Sequence, residues 1–312
     1  MKFIDLHCDT IGKLYLDSTQ HLYRNSFHVD IEKLKKGGCF LQTFALFLDE
    51  KKILAQGLNL VTEWKNRLQT YQEEAALWQE HIVLDCKDES QWSLDKIYGV
   101  LSVEGCGFVQ NDPNKLEEIE KSGCKMASLT WNYENCMGYP HSMRKEWMEK
   151  GLKPFGFEAV DFFNDKKIII DISHLSDGGA EDVLKSSRYP VIASHSNARA
   201  LCDHSRNISD KLIHKIAESG GVVGINFVPE FLTKNMQATV ENVVEHIEYI
   251  ANCGGEEVVA FGTDFDGIAN TPVGLENVSK MQQVYIALKK RGHKDRRIEK
   301  VFYQNALRVL RG

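Results

Sequence analysis

Two side chains with metal-binding chemistry stand one residue apart near the start of the chain: His7 and Asp9, in "DLHCDT" at 5–10. On an extended strand side chains alternate faces, so both leave the same side. Spacing alone does not make a site, because the chain has 11 histidines and a second His-x-Asp, "HVD" at 28–30. That pair precedes "IEKLKKGG", which reads as a short helix ending in glycine. Asp30 is there the helix N-cap and His28 a surface residue. Support for the first pair comes from further along. Glu104 in "VEG", His174 in "DISHLS", His195 in "ASHS", and Asp264 and Asp266 in "FGTDFDG" each close an apolar, strand-like run. Singly, each reads as a satisfied polar group or a turn residue. Together they put ionisable groups at five of eight strand ends, where desolvating charge is costly unless it is paired. A metal site accounts for that directly.

The ligand types narrow the metal. Imidazole and carboxylate without thiolate suit Zn²⁺, Mn²⁺ or Fe²⁺. Two His, one Asp and one Glu with an open position are too many carboxylates for one tetrahedral structural zinc. They fit two ions about 3.5–4 Å apart, with Glu104 as the bridge because its longer stem reaches between the two sides. Asp5, two residues before His7, is either a partner that orients His7 or a polar residue of a barrel layer. Cys8 faces away and reads as core.

These groups need a scaffold that gathers strand ends. Strand-like runs occur at 2–9, 39–48, 97–105, 124–131, 167–175, 190–196, 221–228 and 258–267, with helical patterns between them. One long helical pattern follows the second run, with Leu54, Leu58, Val61, Leu68, Tyr71, Ala75 and Trp78 at three- to four-residue steps or multiples of them. Gly123 ends the helix before the fourth run. Two more helices, at about 277–291 and 295–311, follow the eighth. Strands apolar on both faces and alternating with helices imply a parallel sheet. Eight such units predict an α/β fold, a (β/α)8 TIM-type barrel with extra C-terminal helices, whose active site lies at the C-terminal strand ends. A doubly wound open sheet is the alternative. With no linker and no repeat, residues 1–312 read as one domain.

Composition sets the remaining bounds. Hydrophobic residues make up 43% and charged residues 26%, ordinary for a soluble globular chain. A net charge of −6 offers no basic stripe for nucleic acid or anionic membranes. The eight cysteines include no C-x-x-C, which argues against a zinc ribbon or a thioredoxin-type site. The absence of a signal segment and of any apolar stretch of membrane length leads to the expectation of a cytoplasmic protein with reduced thiols.

In combination, "DLHCDT", "VEG", "DISHLS", "ASHSNAR", the "RN" at 206–207, "NF" at 226–227 and "FGTDFDG" resemble the membrane (renal) dipeptidase family, binuclear zinc dipeptidases among the metal-dependent amidohydrolases. The resemblance runs from about residue 3 to 310. It implies that one zinc is held by His7 and Asp9, the other by His174 and His195, with Glu104 between them. It implies that Asp264 handles the proton of the bridging water, that Arg206 binds the substrate's terminal carboxylate, and that the protein is a homodimer. Two positions depart from the family pattern. Trp131, followed by Asn132, stands where mammalian members have a histidine that helps bind the substrate carbonyl. Phe231 stands where a tyrosine assists the arginine. Trp131 also opens a long segment, 131–150, that should border the substrate pocket, so Trp131 and Asn132 are candidate substrate-binding residues.

The activity this implies is hydrolysis of dipeptides with a free C-terminal carboxylate by a metal-bridging hydroxide. Two ions lower the pKa of bound water from 15.7 towards about 7, and Asp264 takes the proton. Two readings compete: another metal-dependent hydrolase on the same barrel (a lactonase, a cyclic-amide or a phosphoester hydrolase), and a non-catalytic metal-binding protein. Glu104 and the "SHS…RN" spacing favour the dipeptidase over the first, and an intact Asp264 argues against the second.

Overall fold

The computed structural model describes residues 1–84, 89–235 and 237–312. Its sheet is parallel throughout and curls into a barrel. The strands are β1 (Phe3–Asp5), β2 (Cys39–Phe47), β3 (Val83–Leu84), β4 (Tyr98–Glu104), β5 (Met126–Ser128), β6 (Ile169–Asp171), β7 (Val223–Ile225) and β8 (Val259–Phe261). Their spatial order is β6-β5-β4-β2-β1-β8-β7, with β3 pairing at Tyr98 and Gly99 outside that path. The segment around 192–193 closes the ring, because Ile192 bridges Asp171 of β6 and Ala193 bridges Val223 of β7. The eight expected staves are therefore present, and the sixth is a pair of single bridges rather than a strand.

Most staves are shorter than the apolar runs suggested, and two carboxylates explain part of the difference. Asp171 Oδ1 accepts from the backbone N–H of Ser173 (2.9 Å) and of Ser194 (2.8 Å). Asp5 Oδ1 accepts from Thr263 N–H (2.8 Å), and Asp5 Oδ2 from the Thr263 hydroxyl (2.8 Å) and Gln42 Nε2 (2.9 Å). Every buried N–H needs an acceptor. Here side-chain oxygens take over from ladder carbonyls, so the ladder is interrupted while the chain stays bonded. Asp5 thus ties β1, β2 and β8 together and meets His7 only at its backbone N–H, at 3.4 Å.

The sixth stave also sits close to its neighbours. A Cβ on Gly224 or Gly262 would fall 1.9 or 1.7 Å from the Ser194 carbonyl oxygen, so only glycine fits at either position. The strand–helix layer buries Phe3, Cys8, Trp64, Phe163 and Phe302, among others. A second cluster inside the barrel takes Ile4, Leu6, Phe40, Tyr98, Val100, Met126, Ile192, Val222 and Ala260 from the staves, and the final helix, Asn305–Arg311, packs on it through Ala306, Val309 and Leu310.

The long helical pattern after β2 is two helices, Glu50–Ala55 and Leu60–Leu77, separated by Gly57 at φ +72° and restarted by Asn59, whose side chain caps Val61 and Thr62. The buried face is Leu60, Glu63, Trp64, Arg67, Tyr71 and Glu74, whereas Leu54 and Leu58 are 55% and 44% exposed. Running one period across the break placed the face wrongly. Asp30 does cap the helix Ile31–Gly37. His28 is more than a surface residue: its backbone N–H donates to Asp266 Oδ1 (2.6 Å) and its Nδ1 accepts from Asp266 N–H (3.0 Å). None of the seven described cysteines is in a disulfide, and Cys86 lies outside the described residues. No helix among the described residues is long and apolar enough to cross a membrane.

Candidate metal centre

The C-terminal strand ends deliver the predicted side chains to one mouth. Beyond β1 the chain stays hydrogen-bonded to both neighbours through Cys8, so His7 is held rigidly, and Asp9 takes the N-cap position of the helix Thr10–Leu16. Glu104 is the last residue of β4. After β6 the chain turns through His174 at φ +67°, and Ser176 caps the next helix. Asp264 and Asp266 also adopt positive φ, +63° and +70°. Such backbone is uncommon for residues with a Cβ, and it gathers at functional sites.

Glu104 divides the cluster. Its Oε2 lies 3.7 Å from His7 Nε2, and its Oε1 lies 2.9 Å from His174 Nε2 and 3.4 Å from His195 Nε2. His7 Nε2 is 3.3 Å from Asp9 Oδ2 and 4.0 Å from Asp264 Oδ1. His7 with Glu104 and His195, and His7 with Asp9 and Asp264, each gather three donor atoms compactly enough for one ion.

The hydrogen bonds behind the rings fix what those atoms offer. His174 Nδ1 faces Asn132 Oδ1 at 2.8 Å, an oxygen that can only accept, so the ring proton sits on Nδ1. The Ser194 hydroxyl donates to Asp171 Oδ2 (2.5 Å), so its oxygen accepts from His195 Nδ1–H at 2.7 Å. Burial pushes both imidazole pKa values well below the usual range and keeps the rings neutral. Two Nε2 lone pairs therefore point at each other across 2.9 Å and at a carboxylate oxygen. That arrangement calls for a cation. Across Glu104, His7 Nε2 and Asp9 Oδ1 are buried with no hydrogen-bond partner among the described residues. Burial opposes the charged form of His7, but Glu104, Asp9 and Asp264 outweigh it and push its pKa up to about 10. Both halves of the site fit divalent metal.

A cleft of about 780 Å³ opens over these groups, lined among others by Asp9, Glu104, Trp131, Asn132, His174, Arg206, Phe231 and Asp264. Asp264 Oδ2 accepts from Asn226 Nδ2 (2.9 Å), and burial raises its pKa to about 6. Asp266 instead binds the Thr10 hydroxyl (2.6 Å) and the His28 backbone, so it braces the turn. Arg206 is 4% exposed. It donates to the His195 carbonyl (3.0 Å) and the Ser196 hydroxyl (3.4 Å), and its Nε has no partner among the described residues. Its guanidinium lies 5.7 Å from the centre of the Phe231 ring, and the tilted His204 ring lies 4.5 Å from that of Phe231. Trp131 is half-buried, with its ring 4.6 Å from Phe47 and 6.2 Å from His174.

Sequence reasoning missed His141 and His204, which line the cleft, and the bracing pair of Asp171 and Ser194. "DIS" and "ASH" beside two predicted ligands were the available signal for that pair. His141 and His204 sit in loops and gave none.

The fold and the chain both have known counterparts. The backbone matches a metallo peptidase from Rhodobacter sphaeroides, solved with a phosphinate mimic of the dipeptide L-Ala-D-Ala, at a TM-score of 0.87 over 99% of this chain and 98% of that one, with 23% identity. It matches the probable dipeptidase PvdM from Pseudomonas aeruginosa at 0.88 over 100% and 95%, with 19% identity. In sequence the chain is 34% identical over 218 residues to dipeptidase tcpJ of Claviceps purpurea, which covers 69% of this chain and 51% of that protein. It is 29% identical over 296 residues to an uncharacterized dipeptidase of Schizosaccharomyces pombe, covering 90% and 71%. The chain thus spans about half the length of tcpJ. The sequence pattern of one family describes all of residues 1–312. The chain belongs to the membrane dipeptidase family, peptidase family M19.

Proposed function

We propose that the protein is a binuclear zinc dipeptidase that hydrolyses dipeptides with a free C-terminal carboxylate. The observation that carries this reading is the division of Glu104, with one carboxylate oxygen turned to His7 and the other to His174 and His195, in a cleft that also holds Arg206. His7 and Asp9 would hold one ion and His174 and His195 the other, with Glu104 shared. When bound, such ions supply an acidified water and polarise the scissile carbonyl. Dipeptidase tcpJ and the dipeptide-mimic complex of the Rhodobacter enzyme support the substrate class.

The chain's own groups do the rest. Asp264 Oδ1 faces the cluster while Oδ2 is tethered to Asn226, so one oxygen is free to take a proton and pass it to the leaving amine. Arg206 holds the terminal carboxylate, and Trp131 and Asn132 border the substrate. Asn132 Oδ1 is already shared by His174 and His141, so its contribution comes through its placement rather than a free oxygen. The homodimer and the cytoplasmic setting expected from the sequence belong to the same proposal. So does a single domain over 1–312, which the bond of the Met1 amine to Gln282 Oε1 (2.9 Å) favours by joining the N-terminus to the C-terminal helices.

Elemental analysis of protein purified without chelator should approach two zinc per chain and fall in Glu104→Ala; a value near one in both would remove the shared ligand. A panel of dipeptides, acyl-amino acids, lactones and phosphoesters should give turnover on dipeptides first. Preference for another class would move the assignment to that hydrolase.

Trp131 should set substrate choice rather than chemistry, because an indole donates but cannot accept or carry a proton as imidazole can. Trp131→His is expected to reorder the ranking among dipeptides while leaving metal content unchanged. A preserved ranking would place the ring outside the substrate's reach.

A further inference from the structure

The loop 131–150 does more than border the cleft. Asn132 Oδ1 accepts from two rings, His174 Nδ1 at 2.8 Å and His141 Nε2 at 3.0 Å. An amide oxygen offers two lone pairs, and here both are used. With its proton on Nε2, neutral His141 presents Nδ1 as an acceptor, and the Ser205 hydroxyl lies 2.7 Å from it. Ser205 immediately precedes Arg206. One line of hydrogen bonds thus runs from the ring of His174 to the loop that carries the cleft's buried arginine.

The backbone makes a second grip. His141 N–H donates to the His174 carbonyl at 2.7 Å, Ser176 N–H donates to the Tyr139 carbonyl at 3.0 Å, and Pro140 bridges Leu175. His174 is the residue held at φ +67°. A residue with a Cβ persists there only when its surroundings over-determine it. His141 holds the carbonyl of His174 with its own backbone, and the ring of His174, through Asn132, with its side chain.

We propose that His141 is a positioning residue for both ends of the site: through Asn132 it fixes His174 in the tautomer with Nε2 free for metal, and through Ser205 it sets the loop of Arg206. This rests on the metal reading above. It assigns a task to a histidine that touches none of the residues expected to hold metal by a direct side-chain hydrogen bond. Nothing in the sequence pointed to it, because twelve residues of irregular chain separate it from β5 and its partners lie on three different loops. The stretch after β5 thus has a structural reason for its length: it must leave the barrel with Asn132 and return with His141.

The test compares His141→Phe, which removes the donor to Asn132, with His141→Gln, whose amide can donate to Asn132 and accept from Ser205. Zinc affinity of the purified protein is read by competition with a chromogenic chelator. Groups that back a metal-binding histidine are typically worth about 10–100-fold in metal affinity. His141 stands one bond further out, so His141→Phe should weaken one of the two zinc ions by about 10-fold and raise KM, and His141→Gln should recover most of both. Selective ¹⁵N-histidine spectra of the same proteins supply a readout independent of zinc and of turnover. His174 should show a protonated Nδ1 in unmodified protein and a mixture of tautomers in His141→Phe. Unchanged zinc affinity and an unchanged His174 tautomer in a folded His141→Phe protein would overturn the proposal. If unmodified protein bound no zinc, the metal reading would fail by itself, and the tautomer comparison would still decide what His141 does.

Discussion

Asp264→Asn is expected to keep the metal content of the unmodified protein and lose about 10²–10⁴-fold in kcat, the usual worth of a positioned acid–base group. In free-energy terms that is about 2.7–5.5 kcal/mol of barrier. Its geometry suits the role. Asn226 Nδ2 holds Oδ2 at 2.9 Å, and the turn fixes φ at +63°, so the second oxygen has one orientation, 4.0 Å from His7 Nε2. Burial is the largest influence on its pKa and pushes it up to about 6, against the pull of His7. A carboxyl at that value is a stronger base than an ordinary surface aspartate and is still deprotonated at neutral pH, which is where proton transfer is most efficient. Asparagine has the same shape and can still accept from Asn226, so the turn should stay intact. The amide cannot take a proton. Comparison of kcat and of metal content in the same preparation checks the prediction. A variant within threefold of the unmodified kcat would show that another group carries the proton.

How far the site could be read from sequence follows from what sets each position. His7, Asp9, Glu104, His174, His195 and Asp264 close apolar runs, and a strand end in this architecture has one destination, so their meeting is legible in the sequence itself. The division of Glu104 between two pairs was legible only as an expectation from its length. Tautomers were not legible at all, because they depend on Asn132, Ser194 and Asp171 standing behind the rings. Strand lengths were overestimated for a related reason. Asp5 and Asp171 interrupt backbone ladders by replacing carbonyl acceptors with their own oxygens, and an apolar run does not reveal where that exchange occurs. The helix after β2 was misread because a period carried through Gly57 and Asn59 assigns Leu54 and Leu58 to a face that the second helix does not continue. His141 illustrates the general limit: periodicity locates residues on elements, whereas a loop residue is located by the partners it finds.

Arg206→Ala is expected to lower kcat/KM by about 10–150-fold, because a hydrogen bond to a charged group contributes about 1.5–3 kcal/mol. The surroundings of the side chain distinguish this from a structural arginine. It is 4% exposed, and none of its described contacts is a carboxylate pair; Asp203 and Asp210, its nearest acidic neighbours in sequence, are not among its partners. Burial lowers its pKa, and Asp264 and Glu104 pull the other way from across the cleft. A buried guanidinium with an unpartnered Nε is costly unless an anion completes it. The planar fork suits a carboxylate bidentately, so Arg206→Lys should restore only part of the loss. Phe231 contributes a ring face rather than a hydroxyl, which leaves the guanidinium as the main anchor. An anchor beside the metal-binding cluster would fix which bond is cut and leave no room for a longer peptide beyond the terminal carboxylate. Substrate chemistry gives the sharper test. A C-terminally amidated dipeptide should be a poor substrate for the unmodified protein, and Arg206→Ala should discriminate little between amide and acid. Equal cleavage of both by the unmodified protein would mean that the terminal carboxylate is not read, and the activity would then be that of a broader amidohydrolase.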